Sequence, residues 1–191
     1  MNGNLAYREE PRAEIIGGRV VMMASPVTNH ILTAGNLYTI FSVYLRGKNC
    51  TPFPDGETLF LDKGEEYKPD MMVVCDPAKI RRNGVYGAPD LVVEVLSPST
   101  ARNDRIYKKS VYERCGVREY WIVSPRDRSV EQYLLEGGRF VLRDVYTQYL
   151  PEDLAGMTDA ERAALVTEFR CSLFDDLTIR IEDIFYRVIS G

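Results

Sequence analysis

The chain is 191 residues long, 45% hydrophobic and 27% charged, with a formal net charge of −4. That is enough apolar material for a single domain over residues 1–191 and too little length for two large ones. The acidic balance argues against holding nucleic acid by bulk positive charge, and no stretch reaches the roughly 18 to 20 apolar residues that span a bilayer. Residues 1–14 lack an apolar signal core, so a soluble, cytoplasmic protein with no membrane partner is expected.

In chain order, Ala13 to Met23 predicts a hairpin turning at Gly17-Gly18. Ser25-Pro26 breaks the chain before a helix over about 29–45. Its stripe of Ile31, Ala34, Leu37, Ile40, Phe41, Tyr44 and Leu45 has the period of a core-facing surface. Strands follow around 58–61, 70–75 and 90–96. After Ser97-Pro98-Ser99-Thr100 a helix is expected from Asp104 to Cys115, with Gly116 as its C-terminal cap. Residues 119–123 form another buried strand, and 130–135 with 140–146 a last hairpin around Gly137-Gly138.

The final quarter changes character. Residues 151–170 are acidic and contain Thr158-x-x-Glu161, a mutual capping pattern ahead of a short amphipathic helix. Residues 173–185 alternate and read as a last strand or docking segment. Cys50, Cys75, Cys115 and Cys171 are scattered, with no Cys-x-x-Cys and one histidine in the chain. This argues against a zinc site or disulfide framework and for reduced thiols.

The chemistry lies in acids set inside apolar runs. Lys68-Pro69-Asp70 leads into Met71-Met72-Val73-Val74, and Glu94 sits within Leu91-Val92-Val93-Glu94-Val95-Leu96. A carboxylate in a valine-rich strand is costly to desolvate without a partner. The partner read here is a divalent metal shared by Asp70 and Glu94. Between Arg102 and Arg128, eight Lys/Arg stand against four Asp/Glu; this is either a solvated, ion-paired face or a phosphate-facing surface, and its place beside the site favours the second.

These motifs also carry a resemblance. Glu14-Ile15-Ile16-x-Gly18-Arg19-Val20-Val21, Ser25-Pro26-x-x-x-His30, Tyr67-x-Pro69-Asp70, Pro89-Asp90 through Ser99, Asp104-x-x-x-Lys108-x-x-x-Tyr112 and Gly116-Val117-x-Glu119-Tyr120-Trp121 resemble the Uma2 family over about residues 8–150. That family is described as restriction endonucleases, or as a domain of unknown function, in the PD-(D/E)xK nuclease superfamily. The resemblance implies an α/β restriction-endonuclease-like fold: a mixed central β-sheet flanked by helices, with N- and C-terminal hairpins and 151–191 as an extension. It also implies an acid at Asp70 and a second at Glu94. The usual lysine position falls on Leu96, a departure, and the family pattern places the lysine at Lys108.

The implied activity is metal-dependent phosphodiester hydrolysis, with DNA as partner. Mg²⁺ or Mn²⁺ would be held by Asp70 and Glu94 and the developing charge offset by Lys108; a homodimer is compatible. Each residue has a plainer alternative. Asp70 could make a turn hydrogen bond, and Glu94 a buried ion pair with Arg102, Arg105 or Lys108. Asp104 reads first as an N-cap. Asp90 is a reserve ligand, while His30 and Glu14 are candidates to line the site. A catalytically silent nucleic-acid-binding or protein-interaction module on the same fold is the competing reading. A carboxylate-pair hydrolase of another substrate is a third, separated from the first by metal dependence.

Overall fold

The computed structural model describes residues 12–98 and 100–189. Two six-stranded sheets organise it. The hairpin pairs β1 (Ala13–Ile16) with β2 (Arg19–Met22), turning through Gly17 and Gly18, both at positive φ as a tight two-residue turn requires. A helix follows, α1 (Thr28–Tyr44). Next come β3 (Thr51–Pro54), β4 (Leu59–Phe60), β5 (Glu66–Tyr67), β6 (Met71–Val74), β7 (Ile80–Arg81), β8 (Gly84–Tyr86) and β9 (Leu91–Val95). A π-helical segment, Asn103–Lys108, runs into α2 (Lys109–Cys115). The chain continues through β10 (Glu119–Ser124), β11 (Ser129–Glu136) and β12 (Arg139–Thr147). It ends with α3 (Pro151–Leu154), α4 (Asp159–Ala163), β13 (Glu168–Arg170), β14 (Thr178–Arg180) and α5 (Ile181–Ile184).

The central sheet runs β12-β11-β10-β9-β6-β3 and is mixed, since β9 and β10 pair parallel while its other pairings are antiparallel. This is the expected fold class. Strand alternation divides its side chains between two cores. Met71, Val73, Leu91, Val93, Trp121 and Val123 face α1 and the C-terminal extension. Met72, Val74, Val92, Tyr120 and Ile122 face α2 and the second sheet. The second sheet, β2-β1-β5-β4-β8-β7, absorbs the N-terminal hairpin; β5, β7 and β8 were not anticipated, because strands of two or three residues carry no readable period.

Several expectations are corrected. Cys50 and Cys75 form a disulfide instead of remaining reduced. They extend the antiparallel register of β3 and β6, one step beyond the Thr51–Val74 pair, so their side chains meet across the strands. Ile31 is 56% exposed, and the buried stripe of α1 is Thr33, Ala34, Leu37 and Phe41 with Leu45 beyond its end. Asp104 is no N-cap: helical structure begins at Ala101, and the Asp104 N–H already bonds the Thr100 carbonyl. Gly116 does close α2 in the left-handed conformation, and Thr158 with Glu161 forms the capping box of α4. Among the described residues, no helix is long and apolar enough to cross a membrane.

Candidate active site

Glu94 projects from the middle of the central sheet on the α2 side, where the sequence pattern gives it only apolar strand neighbours. The structure provides its partners from the helix. Glu94 Oε1 accepts from the Tyr112 hydroxyl at 2.7 Å and lies 3.2 Å from Lys108 Nζ. Lys108 and Tyr112 are four residues apart, so one face of the helical segment delivers both. Lys109 turns elsewhere and places its ammonium 3.6 Å from the centre of the Tyr133 ring.

Lys108 is the hub. Its Nζ is also 3.0 Å from Glu14 Oε1 and 3.7 Å from Asp104 Oδ1, and it lies 5.5 Å from the Tyr67 ring centroid. Lys108, Glu94, Glu14 and Asp104 are all buried. Glu14 reaches in from β1, and its Oε1 also accepts from the Lys68 N–H at 2.9 Å, which fixes the approach to Pro69-Asp70. The π-helical segment carries both Asp104 and Lys108. Such wide turns recur where a helix must re-aim side chains at a functional site.

Asp70 stands just before β6. Its Oδ2 accepts from the Val95 N–H at 2.6 Å, tying it to the residue after Glu94, and its Oδ1 is 3.2 Å from His30 Nε2 in the first turn of α1. Thus Glu14, His30, Asp70, Glu94, Asp104 and Lys108 form two adjoining contact groups. Asp90 does not join them. Its carboxylate accepts from the Cys75 N–H at 2.8 Å and from Arg118 at 3.3 Å, at the start of β9 instead of near its end.

The electrostatics are those of a surplus of acid. Burial raises the proton affinity of Glu94 well above that of an ordinary glutamate; Lys108 opposes this, and Asp104, Asp70 and Glu14 add to it. Asp104 is raised for the same first reason, with Lys108 and Thr100 pulling the other way. Burial alone would lower Lys108, but Glu94, Glu14 and Asp104 outweigh it, so the ammonium is held protonated. His30 loses by burial and gains more from Asp70, with a net rise.

The metal expected between Asp70 and Glu94 meets a mixed test. Four carboxylates face one lysine and one histidine, and Asp104 Oδ1 is buried without a hydrogen-bond partner. Carboxylate oxygens are the ligands that hard cations such as Mg²⁺ and Mn²⁺ take. The donor chemistry therefore fits. However, among the described residues no three His, Cys, Asp or Glu are grouped so that they could hold a metal, and the Lys108 ammonium stands where three of the acids meet. Glu94 already has the buried ion pair that was the plainer alternative.

The basic stretch 102–128 is largely spent on partners. Arg105 pairs with Glu131, Arg114 with Asp62 and Glu65, and Arg118 with Asp90. Its phosphate-facing reading gives way to an ion-paired surface, with Arg126 left at the rim of a large groove of about 1060 Å³. Sequence reasoning assigned no role to Tyr112 or to the Val95 N–H. The four-residue spacing from Lys108 was the available signal for the first; the second is a backbone group and left none.

Comparisons with known proteins bear on the family and the fold. The family model Uma2, described as "Putative restriction endonuclease", matches residues 4–161. The uncharacterized protein slr1290 of Synechocystis sp. is 30% identical over 128 residues, covering 66% of this chain and 67% of that protein. A crystal structure from Anabaena variabilis, described as a putative nuclease belonging to DUF820, superimposes with a TM-score of 0.66. That match has 16% identity and covers 94% of this chain and 92% of that one, which makes the fold a shared one. With its motifs, its mixed sheet and most of its length accounted for in this way, the chain belongs to the Uma2 family.

Proposed function

We propose that this protein is a divalent-metal-dependent phosphodiester hydrolase acting on DNA as an endonuclease. The observation that carries the reading is the buried Asp104 Oδ1, which accepts no hydrogen bond and has only the Lys108 ammonium at 3.7 Å, within a group of acids that a single lysine does not neutralise. A buried carboxylate oxygen that accepts no hydrogen bond needs an explanation, and a bound cation in a cluster of acids supplies one. Asp70 and Glu94 would hold the metal, which when bound makes a water more acidic and offsets negative charge on the phosphoryl oxygens.

The chain's own residues divide the remaining work. Lys108, held protonated by three acids, is a donor to the phosphoryl oxygens and not a base. Asp104, with its raised proton affinity and open oxygen, is suited to take the proton from the attacking water. His30 and Tyr112 are positioning residues, holding Asp70 and Glu94 through one oxygen each. The groove of about 1060 Å³ that His30 shares with Ser97, Arg126 and Tyr149 gives the substrate a path to the site.

One observation favours the silent-module reading: Lys108 and Tyr112 already satisfy Glu94 Oε1. Supercoiled plasmid and single-stranded DNA incubated with Mg²⁺ or Mn²⁺ separate the two. Nicking by wild type that is lost in Asp70→Asn and Lys108→Met supports the hydrolase. Binding without cleavage in every condition, unchanged by Lys108→Met, assigns the fold to a binding module.

A further inference from the structure

Three acids from separate parts of the chain meet at one ammonium. Lys108 Nζ lies 3.0 Å from Glu14 Oε1 of β1, 3.2 Å from Glu94 Oε1 of β9 and 3.7 Å from Asp104 Oδ1, one turn earlier in its own helical segment. Exposure is 6% for Glu14, 3% for Glu94, 1% for Asp104 and 4% for Lys108. Water therefore screens little of their charge, and one positive group faces three acids. The acids are not equally provided for. Glu14 Oε1 also accepts from the Lys68 N–H and Glu94 Oε1 from the Tyr112 hydroxyl, whereas Asp104 Oδ1 accepts no hydrogen bond. Among the described residues, the ammonium is what the three acids share.

That arrangement suits a hard cation in donor type and not in spacing. Mg²⁺ takes carboxylate oxygens at about 2.0 to 2.1 Å, closer than the 3.0 to 3.7 Å at which the acids surround the ammonium. A divalent ion on Glu94 would also stand beside a buried positive charge, and a low-dielectric interior does little to screen that repulsion. The metal and the lysine cannot both keep Glu94. We propose that Lys108 is a built-in competitor of the candidate metal: a divalent cation binds as the ammonium gives up Glu14, Glu94 and Asp104, and Glu14 then joins Asp70 and Glu94 in holding it. This rests on the reading of these acids as a metal site and not on cleavage. It gives Lys108 two places, counter-ion to the buried acids and, once displaced, donor to the phosphoryl oxygens. The charge that hydrolysis needs is then released only when the metal arrives.

Mn²⁺ binding to the full chain, read by calorimetry and by the loss of the free-ion electron paramagnetic resonance signal, tests the exchange without any assay of turnover. Lys108→Met should bind Mn²⁺ on the order of tenfold or more tightly than wild type, because the competing cation is gone. Its melting temperature should fall below wild type in chelator, and saturating Mn²⁺ should close most of that gap by filling the place the ammonium left. Lys108→Gln, which keeps a polar end among the acids, is the second variant should Lys108→Met fail to fold. Adding Glu14→Gln to either should weaken Mn²⁺ binding on the order of tenfold, whereas Lys109→Met should bind as wild type does, since its ammonium lies over the Tyr133 ring. Equal Mn²⁺ affinity in wild type and the Lys108 variants overturns the proposal, as does a melting deficit that Mn²⁺ leaves unchanged; Lys108 is then a permanent structural ion pair. Tighter binding that Glu14→Gln does not weaken also overturns it, by reducing the lysine to repulsion at a distance. If these affinity differences appear and no metal supports DNA cleavage, the hydrolase reading falls while the exchange stands. If wild type cleaves DNA with Mn²⁺ and removing the lysine leaves Mn²⁺ affinity unchanged, the reverse holds.

Discussion

The two faces of the central sheet each bury a glutamate, and they do so in opposite ways. Glu119, on the α1 side and fully buried, is surrounded by neutral donors. Trp121 Nε1 and Gln132 Nε2 lie 2.6 Å from its Oε1, while the Ser172 N–H, at 2.9 Å, and the Ser172 hydroxyl and Cys171 thiol serve Oε2. These bonds fasten the C-terminal extension to β10. Glu94, on the other face, shares one lysine with two further acids and has Asp70 near enough to raise it. One carboxylate is satisfied by what the fold supplies; the other is left with more negative charge than the fold neutralises. A saturated network stabilises, whereas strongly perturbed carboxylates are the kind that cluster at functional sites.

The largest expected effect breaks the comparison directly. Glu94→Gln should lower turnover by about 10²- to 10³-fold, the scale for losing one preorganised charge-stabilising group, while changing stability by less than about 1 kcal/mol, since Lys108 keeps Glu14 and Asp104. Glu119→Gln should do the opposite. Its new NH₂ confronts the donors of Ser172 or Trp121, and the buried mismatches should cost about 3 kcal/mol or more, with the activity of the folded fraction retained. Urea unfolding beside plasmid nicking measures both, and a Glu94→Gln protein that unfolds as readily as Glu119→Gln would make Glu94 a structural residue.

A second effect, about 3 kcal/mol, concerns the cation. Lys108→Met leaves three buried acids without their ammonium, and breaking a buried pair from one side is strongly destabilising. Lys109→Met should cost under about 1 kcal/mol, because it removes a contact with the Tyr133 ring and the attraction of Glu131 and Glu113 for a part-exposed ammonium. Equal melting shifts for the two variants would contradict the hub.

The sequence disclosed these two faces unequally. The strand acids, the helix bearing Lys108 and the hairpins at Gly17-Gly18 and Gly137-Gly138 were legible, because each rests on a local period or turn residue. Glu14 and His30 reach the site from 94 and 78 positions before Lys108, and only family motifs pointed to them. Asp104 was misread because an acid before an apolar run resembles a cap; the helix in fact starts a turn earlier. The Cys50–Cys75 bond depends on the pairing of two strands 25 residues apart in the chain, a register that cysteine spacing does not encode. Glu119 passed unnoticed as an anchor because, Trp121 apart, its donors Gln132, Cys171 and Ser172 come from β11 and the C-terminal extension.

The smallest effect sharpens the contrast with a third glutamate, intermediate between the two. Glu65 is buried and accepts from the Gly17 N–H at 3.1 Å, the Tyr67 hydroxyl at 2.6 Å, the Tyr107 hydroxyl at 2.9 Å and Arg114 at 3.3 Å. Burial would raise its proton affinity, but these donors outweigh burial and hold it below the usual glutamate value of 4.5. A lowered folded-state value means that the stabilisation is present above 4.5 and is lost as pH falls through the folded value. Glu65→Gln should therefore cost about 1 to 2 kcal/mol at neutral pH, and the gap to wild type should close as acid protonates the wild-type carboxylate. Urea unfolding at pH 7, 5 and about 3.5 reads this gap. A gap that widens on acidification would place Glu65 with Glu94, as a carboxylate burdened by burial, instead of with Glu119, as one satisfied by its donors.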